Sequence, residues 1–180
     1  DLTRYERQKT WEVKIGGVPV GGNNPIRIQT MTDTNSKDTD ATVDQIVRVI
    51  KAGADYVRVT VKGIYDAENL KNIKKELVTR GYETPLIADI HFNPKLAEIA
   101  AKYVSKIRIN PGNFYDKRAQ FKNKLYTDEQ YKNELVEIEE QFIPFLEVLK
   151  KTKTALRIGA NQGSLSDRVM SRFGDTPSGI

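Results

Sequence analysis

Cysteine is absent from this 180-residue chain. Without a thiol these residues can form no disulfide, no thiolate-held zinc or iron–sulfur site and no cysteine nucleophile. Long apolar runs are absent too. No stretch approaches the roughly 18 consecutive apolar residues that cross a bilayer, and the opening DLTRYERQKTWEVK lacks the apolar core of a secretory signal. No membrane partner is therefore expected, and a cytoplasmic location is. Histidine occurs once, as His91. What is present is a soluble globular composition, 38% hydrophobic and 29% charged. The length is one domain's worth, enough to bury roughly two-thirds of the unfolded surface. Lys and Arg number 29 against 24 Asp and Glu, a net charge of +5. That excess suits an anionic partner without naming one.

The chain divides into an N-terminal segment, 1–25, and an alternating region, 26–180. In the first, Val13 and Ile15 alternate with charged residues, Gly16-Gly17 supplies a turn, and Val18 and Val20 return, which predicts a β-hairpin. In the second, β-rich runs at 26–31, 56–61, 86–91, 106–110 and 155–159 are each followed, in the first four cases, by a helical pattern. Val43, Ile46, Val47 and Ile50 mark the first helix, with Asp40 before it and Gly53 as its stop. Leu70, Ile73 and Leu77 mark the second, which ends at Gly81. Asn93 caps the third with Pro94 in its first turn, burying Leu96, Ile99, Ala100 and Tyr103. Thr127 to Gln130 is a capping box for the fourth, which Pro144 is expected to kink or split. A fifth begins near Ser164 or Ser166 and stops at Gly174. The insert around 114–128 is basic and aromatic. It is read as a solvated loop, because it lacks the repeated Arg/aromatic interleaving of single-strand binders.

Strand–helix alternation implies parallel strands with right-handed crossovers. Side chains alternate across a strand, so each run can be split into two faces. Arg27, Gln29 and Met31 share one face of the first strand; Arg58 and Thr60, Asp89 and His91, and Arg108 and Asn110 share one in the next three. In the fifth run Arg157 lies on this face, with Asn161 following in register. The other faces are aliphatic. A sheet covered by helices on both sides would be apolar on both. One polar face instead suits a (β/α) barrel of the TIM type, whose functional residues gather at the C-terminal ends of its strands. Five βα units preceded by a hairpin are legible, against the eight of a complete barrel.

Four arginines on that inner face confront one carboxylate, Asp89. Poorly solvated guanidinium groups need counter-charge, and their forks match phosphate oxygens in pairs. A phosphorylated or diphosphorylated small molecule at the barrel mouth satisfies this. Pairing with acids from loops or from the barrel strands missing here is the competing explanation, and a structural role is preferred for Arg27. His91 is read either as structural or as a ligand contact or proton donor. Gly112, Gly159 and Gly163 are turn residues or backbone anion contacts.

Five segments, VKIGGVPVGG at 13–22, PIRIQTMT at 25–32, ADIHF at 88–92, KIRINPGN at 106–113 and RIGANQGSLSDR at 157–168, together resemble the N-terminal barrel of the hydroxymethylbutenyl diphosphate synthase family, GcpE or IspG. The segment 114–141 and the continuation RFGDTPSG are similar to the larger form found in plants, chlamydiae and some other bacteria. The resemblance implies an oxidoreductase of the methylerythritol phosphate route to isoprenoids. Such an enzyme reductively opens methylerythritol cyclodiphosphate, with a [4Fe–4S] cluster and a ferredoxin or flavodoxin as electron donor. It implies that Arg58, Arg108 and Arg157 anchor the diphosphate, and that Asp89, His91, Asn110 and Asn161 line the pocket. No residue is assigned to catalysis, cofactor or metal. The family's cluster is held by three cysteines and a glutamate in a C-terminal domain, so these residues are expected to be an N-terminal piece, inactive alone. Unpaired outer strands lead to the expectation of a homodimer.

Two other readings compete. Another phosphate-binding barrel, an aldolase or a pteroate-synthase-like transferase, is one. An aldolase would carry a buried strand lysine, whereas Lys106 is read at the edge of its strand and Lys62 just beyond another. A basic nucleic-acid-binding module is the other, and its steep salt dependence would reveal it. No nucleic-acid partner is expected, because the arginines are better explained inside a barrel.

Overall fold

Strand and helix alternate as the hydrophobic periods require, and the strands pair in chain order. The computed structural model describes residues 8–116 and 125–179. Within them, β1 (Gln29–Met31), β2 (Tyr56–Thr60), β3 (Leu86–Ile90), β4 (Lys106–Ile109) and β5 (Ala155–Ile158) form one parallel sheet in the order β1-β2-β3-β4-β5. Consecutive neighbours joined through helices are the pattern of a (β/α) barrel wall. The first strand is shorter than its β-rich run. Ile26 and Ile28 are exposed, and Asp55 holds the backbone of Ile28 in place of a full ladder, accepting from its N–H at 2.8 Å.

The helices are α1 (Thr39–Lys51), α2 (Ile64–Thr79), α3 (Pro94–Ala100), α4 (Pro111–Phe114), α5 (Asp128–Thr152) and α6 (Asp167–Phe173). Their apolar faces and the odd face of β2, with its equivalents in β3 and β4, form the main core. Local chemistry sets the helix ends. Asp38, and not Asp40, caps α1, accepting from Ala41 N–H, while Asp40 lies in the first turn where the helix dipole favours it. Asn93 caps α3 as its sequence predicts, although Ile99 and Tyr103 are only partly buried. Thr127 and Gln130 form the reciprocal capping box of α5. Ser166, not Ser164, caps α6.

Pro144 does not split α5, which runs unbroken for 25 residues. A proline removes one backbone donor and crowds the carbonyl four residues back. Packing offsets that loss here: the adjacent Phe145 is fully buried, with Phe114 and Phe142 ring centroids 5.4 and 6.0 Å away. The insert around 114–128 lies partly outside the described residues, at 117–124. Its leading edge is the short α4, where the sequence suggests only a turn.

The hairpin forms, with Val13 and Val20 exchanging both backbone hydrogen bonds at 2.8 and 3.0 Å. Its place explains its sequence. Ile15, 1% exposed, packs on Tyr56 and Ile87, with Val18, Val20 and Ala155 around them. Tyr56, Ile87 and Ala155 all belong to the inner face, at the N-terminal end of the strands. Tyr56 also donates its hydroxyl to Val18 O at 2.6 Å. The hairpin is thus an apolar plug under the wall, against the inner face at the N-terminal end of the strands.

Candidate functional site

Register converts the strand-face argument into two rows of inward side chains. In the lower row Met31 pairs with Arg58, Arg58 with Ile87, Ile87 with Lys106, and Lys106 with Ala155. In the upper row Thr60 pairs with Asp89, Asp89 with Arg108, and Arg108 with Arg157. His91 and Asn110 follow at the strand ends. Arg27 stands apart below, bonded to Pro19 O at 3.0 Å and paired with Asp55 at 3.4 Å. Its role is structural, as its early position in the run suggests.

Asp89, 3% exposed, is the hub. One oxygen lies 3.1 Å from Arg108 NH1 and 3.3 Å from His91 Nε2, the other 3.5 Å from Arg58 Nε. Loop acids are therefore not needed to hold two of the arginines, but one carboxylate serves both. Arg108 is buried and fully directed: besides Asp89 it donates to Gly159 O at 2.7 Å, and its NH1 lies 2.7 Å from His91 Nε2. A guanidinium can only donate. His91 Nε2 stands between Arg108 NH1 and Asp89 Oδ1. Among the described residues Arg58 has no second acid, and it rests its Nε and NH2 on Met31 Sδ at 3.3 and 3.1 Å, a weak acceptor. Arg157 is exposed, and among the described residues no carboxylate reaches it.

Asn110 is buried and donates from Nδ2 to Ser164 Oγ at 2.7 Å, while its Oδ1 is buried with no hydrogen-bond partner among the described residues. Ser164 lies in the 3-10 turn Gln162–Ser164, preceded by Asn161, whose carbonyl accepts from Ser164 N–H at 3.0 Å. The Asn161 side chain is exposed at the rim. The structure thus gathers Arg58, Asp89, His91 and Arg108 into one contact network and joins Asn110 to Ser164. Arg157 stands beside Arg108 in register, and Asn161 lies at the edge. Of the glycines, Gly112 and Gly159 are closely approached and Gly163 faces open space. A Cβ on Gly159 would meet Arg108 Nε, and one on Gly112 would meet Ser164 O.

Lys106 is the first residue of β4, at the edge of its strand as expected, but its side chain is inward, half-buried in the row of Arg58. Its Nζ donates to Gln29 Oε1 at 3.1 Å and sits 5.1 Å from the centre of the Tyr56 ring. Burial, followed by the charges of Arg157 and Arg58, lowers its pKa to about 8. Parity with Arg108, two residues on, is the sequence signal that places it.

The sequence profile of the GcpE TIM-barrel domain matches residues 10–180. The chain belongs to the GcpE family. Relatives within the family include the 4-hydroxy-3-methylbut-2-en-1-yl diphosphate synthase (flavodoxin) of Phocaeicola vulgatus, 56% identical over 180 residues. The protein of the same name from Protochlamydia amoebophila is 52% identical over 179 residues, and the chloroplastic ferredoxin form of Oryza sativa 49% over 174. These matches cover 100%, 99% and 97% of this chain but 29%, 27% and 23% of the relatives, so the chain spans less than a third of their length. Among solved structures, Xanthomonas albilineans dihydropteroate synthase is similar over 88% of this chain and 69% of its own, at 14% identity and a TM-score of 0.46. An inward Lys106 removes the placement argument against a Schiff-base aldolase. GcpE membership decides against that reading instead, and against a nucleic-acid-binding module.

Proposed function

We propose that this barrel is the substrate-binding part of a 4-hydroxy-3-methylbut-2-en-1-yl diphosphate synthase, and that it binds the diphosphate of methylerythritol cyclodiphosphate, the precursor opened reductively on the route to isoprenoids. The observation that carries the reading is the juxtaposition of Arg108 and Arg157 in register. Like charges on neighbouring strands repel, and Asp89 is already committed to Arg58 and Arg108. A diphosphate supplies the missing charge. Arg157 and Arg58 are the guanidinium groups with donors to spare, and Arg108 is held rigidly behind them. Asn110 Oδ1 is an acceptor and the His91 ring a polar neighbour for the sugar-derived hydroxyls, with exposed Asn161 at the rim.

The redox group of this reaction, a [4Fe–4S] cluster, does not fit these residues. The chain has no cysteine, and the described residues hold no group of three or more His, Asp or Glu able to bind a metal. We assign its ligands to a separate domain outside residues 1–180. The work of this chain is to bind and orient. A flavodoxin or ferredoxin, the donors for which the relatives are named, is the proposed electron partner. A cytoplasmic location is part of the same reading, and no helix among the described residues is long and apolar enough to cross a membrane. We also infer a homodimer, on the exposed Ile28 just before β1 and Ile158 at the end of β5, beside the two outer strands; light scattering of the full-length protein checks it, and a monomer at working concentration would reject it.

The direct test is calorimetric titration of the full-length protein with the cyclic diphosphate. Arg157→Ala is expected to weaken binding by roughly ten- to a hundredfold, the worth of one or more charge-assisted contacts of about 1.5–3 kcal/mol each. Its unfolding midpoint should not move, because the side chain is exposed. An unchanged Kd rejects the assignment.

A further inference from the structure

We propose that Lys106 is a binding residue for the same polyanion, an ammonium at the floor of the arginine-lined mouth that exchanges its Gln29 contact for a phosphoryl oxygen. The inference rests on the anion-binding reading above and adds to it a ligand and a proton.

Lys106 points inward from β4, in register with Ile87 of β3 and Ala155 of β5. Beneath it lies the hairpin plug of Ile15, Val18 and Val20, which carries no charge to meet it. From β1 it meets Gln29, an uncharged amide. From β2 it meets the Tyr56 ring and the charge of Arg58, and from β5 the charge of Arg157. Tyr56 stays neutral over the working range, because burial raises its hydroxyl above the ordinary value. The carboxylate of the neighbouring row, Asp89, is engaged by Arg58, Arg108 and His91. Among the described residues no acid forms an ion pair with Lys106. A primary ammonium has three donors, and one amide oxygen and a ring face leave it under-used. An inward cation with spare donors, between two guanidinium groups and without a carboxylate, is arranged for a ligand that brings negative charge.

A proton follows from the placement. With the site empty, burial penalises a charge on Lys106, and the charges of Arg157 and Arg58 add to the penalty. A bound polyanion reverses the sign of the local field and favours the ammonium. Binding above about pH 8 therefore draws a proton from solvent, and affinity falls as pH rises through that value.

The test uses the full-length protein and inorganic sulfate, a dianion that does not itself titrate between neutral and alkaline pH. Calorimetry of the wild type is expected to give a Kd that rises roughly tenfold between about pH 7.5 and 9. Lys106→Met should bind more weakly at the lower pH and show no such rise. Lys106→Arg, which keeps a permanent charge, should bind tightly at both, and its activity as a folded protein guards against a misfolded methionine variant. A flat wild-type profile, or an unchanged slope in Lys106→Met, overturns the role of Lys106 while leaving the arginine site standing if Arg157→Ala still loses affinity. Failure of the wild type to bind sulfate and the cyclic diphosphate at any pH overturns both.

Discussion

Asp89→Asn is expected to cost more stability than any other polar substitution in the site, and to make the remaining stability depend on added phosphate. The carboxylate is buried and is the counter-charge of Arg108, itself 7% exposed, and of the partly exposed Arg58. Removing one member of a buried ion pair leaves the other charge unpaired in poorly solvated surroundings, a loss of about 3–5 kcal/mol. Asparagine preserves the volume and one acceptor, so the loss is electrostatic and not a packing defect. A polyanion in the mouth replaces the missing charge. Urea unfolding of the full-length protein, with and without inorganic pyrophosphate, should therefore show a lower midpoint for the variant and a larger stabilisation by the anion than in the wild type. Equal midpoints would mean that Asp89 does not neutralise the arginines. An equal anion effect would mean that the anion binds elsewhere.

The role of Asp89 is legible in the sequence because period-2 alternation places it unambiguously. Asp89 and Arg108 sit mid-strand, where parity fixes the face, and their registered pairing follows from strand order. Parity also locates Arg157. Lys106 obeys the same parity, two residues before Arg108, but as the first residue of β4 it looks marginal, so its inward face is easily passed over. Contacts across long separations are beyond the reach of local pattern. Arg108 reaches Gly159 O across 51 residues and Asn110 reaches Ser164 across 54. Neither follows from period or propensity, because both depend on how the loops after β4 and β5 fold over the strand ends. The hairpin is legible as a hairpin, but its work as a plug is not. That depends on Ile15 meeting Tyr56 and Ile87 on the inner face of the sheet, across separations that no local pattern declares. The continuity of α5 through Pro144 belongs to the same class, since the aromatic packing of Phe145 and Phe114 outweighs a local rule.

Those two loop contacts separate stability from binding, and a pair of glycine substitutions should show it. Gly112→Ala puts a methyl group against the backbone of Ser164, with Leu165 Cα behind it. Backbone cannot swing aside, so α4 and the 162–164 turn must part. Overpacking of that kind costs about 1–3 kcal/mol, and the partly buried Asn110–Ser164 hydrogen bond goes with it. Gly159→Ala instead meets Arg108 Nε, with Cζ and NH2 3.2 Å away. A side chain can move, but this one is pinned by Asp89 and Gly159 O, and moving it turns the guanidinium out of the row proposed above to face the anion. Gly112→Ala is accordingly expected to lower the urea midpoint more than Gly159→Ala does. Gly159→Ala should lose about tenfold or more in affinity for pyrophosphate, the equivalent of one charge-assisted hydrogen bond, while still unfolding cooperatively. Wild-type pyrophosphate affinity in a folded Gly159→Ala protein would show that Arg108 need not be fixed for the anion to bind, and that Arg58 and Arg157 hold it unaided.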